Sequence, residues 1–263
     1  MYTPDTFRRL LIAMKDGGYY FADYSEGNSY ASKSKVVYLR HDVDYSIEWA
    51  LAFARINAEC GVKGTFFFLL RSPIYNLLAY PAITTVKAIC ALGQRVALHH
   101  TIPPGLPTSD EELVSNVTED YRAAAAQLPE LSPVFSWHNP SLVPGIIQRS
   151  LDMAIPGMTN AYNRYFIEDV KYYADSNLRH TVEAFETIIR GDDRRLHLLF
   201  HPFQWMAQGR DMQEVLAKTW VQVIRERETE FLNNHVYRDL FPSGMPDKWL
   251  KELSDNVGEF RRA

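Results

Sequence analysis

The chain has 263 residues, 46% of them apolar, and a formal net charge of −4. That is enough apolar material for one large α/β core or two smaller ones, and the mild acidity argues against a basic nucleic-acid-binding surface or a strong steering field. No apolar stretch is long enough to span a bilayer, and Met1-Tyr2-Thr3-Pro4-Asp5 lacks the basic and apolar regions of a secretory leader, so a cytoplasmic setting is expected.

In chain order, Thr6–Lys15 places Phe7, Leu10, Leu11 and Met14 on one helical face, and Asp16-Gly17-Gly18 stops it. A polar, turn-rich stretch from Ser25 to Lys35 leads into the apolar run Val36–Leu39, which ends in Arg40-His41-Asp42-Val43-Asp44. Ser46 can cap a helix with Ile47, Leu51, Ala54 and Ala58 on its apolar face, closed by Gly61. Thr65–Leu70 suits a strand buried on both faces. Ile74–Ala91 has helical spacing that Pro81 is expected to break in two. A strand at Arg95–His99 ends in His99-His100, and the three prolines of Thr101–Pro107 require a loop.

Ser109 and the acidic residues after it open a helix to about Leu128. A strand at Ser132–Trp137 runs into His138-Asn139-Pro140, followed by a short helix at Ser141–Leu151. Short strands are expected at Met158–Tyr162 and Lys171–Ala174, a helix at Thr181–Arg190, and a strand at Leu196–Phe200 ending in His201-Pro202. Met212–Phe231 is the last long helix, and the tail to Ala263 mixes helical and polar residues. Cys60 and Cys90 fall in helices and read as reduced core residues. No linker or repeat divides the chain, so one α/β domain is expected, its mainly parallel sheet either open or closed into an incomplete barrel.

Four strands thus end in metal-competent or acid–base clusters, and the C-terminal ends of parallel strands converge on one face. Asp42 and Asp44, two apart in a strand, project into the same space, where a divalent cation would offset their repulsion and one could serve as a base. Asp44 has an alternative use as a helix cap. His99 and His100 face opposite ways, and alternation alone leaves open which looks inward. His138 with an Asp and another His would give three ligands and an open position. His201 could be a fourth ligand or a general acid. A Walker or dinucleotide phosphate loop, a Gly-x-Ser-x-Gly elbow and a Cys-x-x-Cys pair are all absent from the sequence.

These clusters, in this order, resemble the polysaccharide deacetylase family (carbohydrate esterase family 4, NodB-homology domain) from about Val36 to Trp205. The resemblance lies in Leu39-Arg40-His41-Asp42-Val43-Asp44, Gly61-Val62-Lys63-Gly64-Thr65-Phe66-Phe67, Val96-Ala97-Leu98-His99 and Leu198-Leu199-Phe200-His201-Pro202. It implies a distorted (β/α) barrel, with an N-terminal helix and a C-terminal helical extension outside the core. It also implies Asp42 as base, Asp44 and His99 as ligands of a divalent metal, zinc by expectation, and His201 as the acid. The family's second motif, His-x-x-x-His, is broken, because Pro103 and Pro104 stand where the second histidine would fall. His138 is the replacement, as in divergent branches of the family, and the arginine of the usual third motif is missing.

Tyr172-Tyr173-Ala174-Asp175-Ser176-Asn177 resembles a late motif of such branches, in which Asp175 orients a histidine or holds substrate. Trp137, Asn139, Asp175 and Trp205 are the candidate substrate contacts. The implied activity is removal of an acetyl or similar acyl group from an N-acylated sugar, nucleotide- or lipid-linked, in polysaccharide or glycoconjugate biosynthesis. Two rivals are hydrolysis of another C–N bond (a cyclic imide, ureide or formyl amide) and a catalytically silent glycan binder.

Overall fold

A computed structural model describes residues 1–27, 29, 30, 32–102 and 109–256. In chain order the elements are α1 (Pro4–Asp16), β1 (Tyr20–Phe21), β2 (Val36–Val43), α2 (Ile47–Glu59), β3 (Thr65–Leu69), α3 (Tyr80–Ala91), β4 (Arg95–Thr101) and α4 (Asp110–Ala125). They continue with β5 (Leu131–His138), α5 (Ile146–Ser150), β6 (Thr159–Asn160), β7 (Lys171–Ala174), α6 (Val182–Arg190), β8 (Arg195–Phe200), α7 (Pro202–Met206), α8 (Met212–Phe231), α9 (His235–Leu240) and α10 (Asp247–Asn256). None of the described helices is long and apolar enough to cross a membrane. The loop expected through Pro107 lies, from residue 103 to 108, outside the described residues, as does the end of the tail.

The strands form one sheet in the order β6-β5-β4-β3-β2-β8-β7, with β1 beside β2, and every pairing is parallel. Alternation sorts the side chains into two populations. Val37, Leu39 and Val43 of β2, Phe66 and Phe68 of β3, Val96 of β4, and Leu196, Leu198 and Phe200 of β8 pack outward, in one core with Phe7, Leu10, Leu11 and Met14 of α1. Each such side chain contributes on the order of 2 kcal/mol by leaving water. Val36, Tyr38, Phe67, Ala97 and Val134 face the other way and pack with Tyr24 and Phe166.

This second population fills the inside of a barrel. β6 and β7 stand at opposite ends of the strand order and share no ladder. Even so, the Arg40 guanidinium lies 4.9 Å from the ring of Tyr162, just beyond β6, and both Tyr162 and Tyr172 of β7 feel its charge. The sheet is therefore curled and its seam is open: a distorted, incomplete (β/α) barrel, one of the two forms the alternation of elements allows and the one the resemblance implies.

Two local expectations need correction. Pro81 does not break a helix; it starts one, in the first turn of α3, where its missing N–H is an orphan in any case, and residues 74–79 are not helical. The helix expected at Ser141–Leu151 is a 3₁₀ turn (Pro140–Leu142) followed by α5, separated by Gly145 at φ +74°. Cys60 and Cys90 are free thiols, the first at the C-terminal cap of α2.

Candidate active site

The C-terminal ends of β2, β4, β5 and β8 bring five of the expected residues to one place. Asp44 Oδ1 lies 3.5 Å from His99 Nε2 and 3.4 Å from His138 Nδ1, and those two nitrogens are 3.2 Å apart. A tetrahedral ion with bonds of about 2.0–2.1 Å needs ligand atoms about 3.3 Å apart along each edge. The three atoms therefore already form one face of such a site. Asp44 Oδ1 is buried and makes no hydrogen bond, as an atom reserved for a cation would be. The cap that Asp44 could have provided is supplied by Ser46, whose Oγ accepts from Trp49 N at 3.0 Å.

Strand parity settles the histidine pair. His99 shares the inward side with Ala97, whereas His100 follows Val96 and Leu98 outward, where its Nδ1 lies 3.0 Å from Asp120 Oδ2 on α4. Arg71 holds the other oxygen of Asp120 at 2.8 Å, so His100 belongs to a buried link between helix and sheet. His99 Nδ1 meets Ser136 Oγ at 2.7 Å across the β4–β5 ladder. Donation of the Nδ1 proton to that hydroxyl leaves the Nε2 lone pair facing Asp44. As placed, Asn139 Nδ2 lies 2.8 Å from His138 Nε2 and donates to it; only with the amide turned over would Oδ1 accept the Nε2 proton and leave the Nδ1 lone pair facing Asp44.

Asp42 is 3% exposed and its two oxygens are taken by one guanidinium, Arg40 Nε at 2.7 Å and Nη2 at 2.8 Å. Its Oδ2 also approaches His99 Nε2 to 3.4 Å. Burial works to raise the Asp42 carboxyl, but Arg40 and then His99 outweigh it and hold it below the usual carboxylate range. Burial is likewise overcome at Asp44, where His138, His99 and His201 hold the carboxyl well below that range.

His201 closes the site from β8, its Nε2 3.9 Å from Asp44 Oδ2. Its Nδ1 is 2.5 Å from Asp175 Oδ1, and its backbone N donates to Asp175 Oδ2 at 2.8 Å. Burial alone would lower this imidazole; Asp175, with Asp44 and Asp42 behind it, raises it to about 9.

No protein-family model matches the chain, and no curated protein does. Among solved structures, a deacetylase (PplD) from Streptococcus pyogenes, in complex with acetate, is 21% identical with a TM-score of 0.40, over 53% of this chain and 66% of that one. BA3943, a CE4 family pseudoenzyme from Bacillus anthracis, is 16% identical with a TM-score of 0.45, over 73% and 62%. A CE4 esterase from Streptococcus mutans is 16% identical with a TM-score of 0.49, over 82% and 90%. The match spans just under two thirds of the first two of these chains. The proteins it resembles are carbohydrate esterase family 4 structures.

Of the four candidate substrate contacts, three are corrected by burial. Trp137 is fully buried on the outward side of β5, its indole N–H on Ser150 Oγ. Trp205 is fully buried and donates to Asp175 Oδ2 at 2.8 Å. Asp175 is itself fully buried and, of its two expected uses, orients the histidine. Asn139, exposed at the end of β5 in the left-handed region (φ 47°), is the one that lies at the rim. Sequence reasoning gave no role to Arg40 or Ser136. The signal for Arg40 was present: it sits two residues before Asp42, on the same side of a strand with no exposed position.

Proposed function

We propose that this chain is a divalent-cation-dependent amide hydrolase that removes an acetyl or similar acyl group from an N-acylated sugar, in polysaccharide or glycoconjugate biosynthesis. The observation that carries the reading is the Asp44–His99–His138 triangle, set between a locked carboxylate and a histidine held protonated. Two imidazoles and one carboxylate at tetrahedral spacing favour zinc. A cation held there would polarise the amide carbonyl and acidify a water molecule.

The remaining chemistry belongs to the side chains. Asp42, kept ionised by Arg40, accepts the proton of the attacking water. Its bidentate pairing costs basicity and gives a fixed direction, which suits a base whose water is already acidified. His201 presents Nε2 to the site because Nδ1 is committed to Asp175. Protonated at neutral pH, it donates the Nε2 proton to the departing nitrogen as the C–N bond breaks. Asn139, exposed at the rim, is the residue we assign to contact with the sugar.

The test is turnover of a panel of N-acetylated sugars and oligosaccharides, with cyclic imides and formyl amides alongside, by the zinc-loaded protein. Release of acetate that falls by about 10²–10⁴-fold in Asp42→Asn and in His201→Gln supports the assignment. Turnover of the cyclic or formyl substrates alone would replace the acetyl-sugar reading, and no turnover at all would favour a binder.

A further inference from the structure

The acid's support extends beyond its aspartate. Asp175 receives four donors: His201 Nδ1 at 2.5 Å and Gln204 Nε2 at 3.4 Å on Oδ1, and His201 N and Trp205 Nε1, each at 2.8 Å, on Oδ2. All four come from five consecutive residues, His201–Trp205, at the start of α7. A helix of that length has almost no stability of its own and lies where its packing puts it.

α2, α8 and β2 pack on it, and the N-terminal segment packs on its tryptophan. Trp205 is stacked on Tyr2, with ring centroids 4.1 Å apart and planes within 8°, and Phe7 closes on it at 5.5 Å. Tyr2 is pinned in turn, its hydroxyl donating to the His180 carbonyl at 2.6 Å, and Thr3 beside it caps α1. Phe200 meets the indole edge-on from β8.

We propose that Trp205 and Tyr2 are positioning residues for His201. The indole N–H fixes the Asp175 carboxylate, and Tyr2 fixes the indole, so the segment before the family-like core helps to aim the proton donor. Without the indole N–H, Oδ2 keeps one donor. The carboxylate can then turn about its soft terminal torsion, and the Nδ1 bond loses its direction. The inference rests on the hydrolase reading for its effect on turnover, but not for its effect on the Asp175–His201 bond.

The decisive variant is Trp205→Phe, which keeps a ring against Tyr2 and deletes the N–H. Tyr2→Ala removes the stack from the other side, and Tyr2→Phe should restore it. Three readouts are needed on folded protein: kcat and KM on an N-acetylated oligosaccharide, zinc affinity by calorimetry, and the proton NMR resonance of His201 Nδ1–H. We expect Trp205→Phe to lower kcat about tenfold, and Tyr2→Ala about threefold, because misaiming a proton donor raises the barrier without touching binding. KM and zinc affinity should stay within about twofold of wild type by the same reasoning. The downfield Nδ1 resonance should broaden or move upfield in both variants and return in Tyr2→Phe. Unchanged kcat and resonance in Trp205→Phe would overturn the proposal, and so would zinc affinity falling in step with kcat. If the wild type turns over no acylated sugar, the hydrolase reading fails, and the resonance still decides the positioning claim.

Discussion

Replacing Arg40 by methionine would leave the Asp42 carboxylate inside the barrel without its cation. Arg40 is 0% exposed and Asp42 3%, and both carboxylate oxygens are bonded to the one guanidinium. Methionine keeps apolar bulk against Phe67 and Tyr162, the rings that flank the guanidinium. The loss is therefore mainly that of a buried pair broken from one side, about 3–5 kcal/mol. The pH dependence should also change sign. In the wild type the folded-state carboxyl is held below its unfolded value, so its contribution is present above the unfolded pKa and is lost as pH falls through the folded one. Without Arg40, burial dominates and the folded pKa lies above the unfolded value; stability is then lost as pH rises. Urea unfolding at several pH values between 5 and 8 reads both effects. Arg40→Met/Asp42→Asn should recover most of the loss and flatten the slope. A single variant within about 1 kcal/mol of wild type at every pH, or a double variant no better than the single, would refute the reasoning.

Other expectations are briefer. His99→Ala should abolish tight zinc binding, while His100→Ala leaves zinc affinity within about twofold of wild type and lowers stability by about 1–3 kcal/mol through the abandoned Asp120; calorimetry and urea melts separate the two. Gly64→Ala puts a Cβ 2.8 Å from His41 Nε2 and 3.0 Å from Asn57 Nδ2, both buried, and should cost about 1–3 kcal/mol in a thermal melt; an unchanged melt would mean that this packing gives way freely. Turnover should fall as pH rises through the His201 pKa, at about 9 or below once a cation opposes it. Asp175→Asn removes the leading charge that raises His201, so it should move that alkaline limb downward, and a pH–rate profile in which the limb stays put counts against His201 as the acid.

Much of the site was legible because strand period carries it: Asp42 and Asp44 are two apart, and the same period taken one step back points to Arg40, which was missed. Period without an anchor decides less. His99 and His100 each continue a reasonable alternation, and only the register of Ala97 beside Phe67, both inside the barrel, tells inward from outward. Trp137 and Trp205 stand among the candidate substrate contacts read from the sequence. In the fold each indole N–H is satisfied internally, by Ser150 and by Asp175, which allows full burial. Pro81 was weighed as a breaker because its cost inside a helix is large, and the sequence did not show that the helix begins at Tyr80. Ser136 is one serine among others in the sequence until its cross-strand partner is known to be His99.

The central claim is that Asp44, His99 and His138 together hold one divalent cation. It is tested most directly by the zinc content and zinc affinity of the purified protein and of Asp44→Ala and His138→Ala. One tightly held zinc per chain is predicted in the wild type, with none retained by either variant after dialysis. Full occupancy in both folded variants would contradict the site.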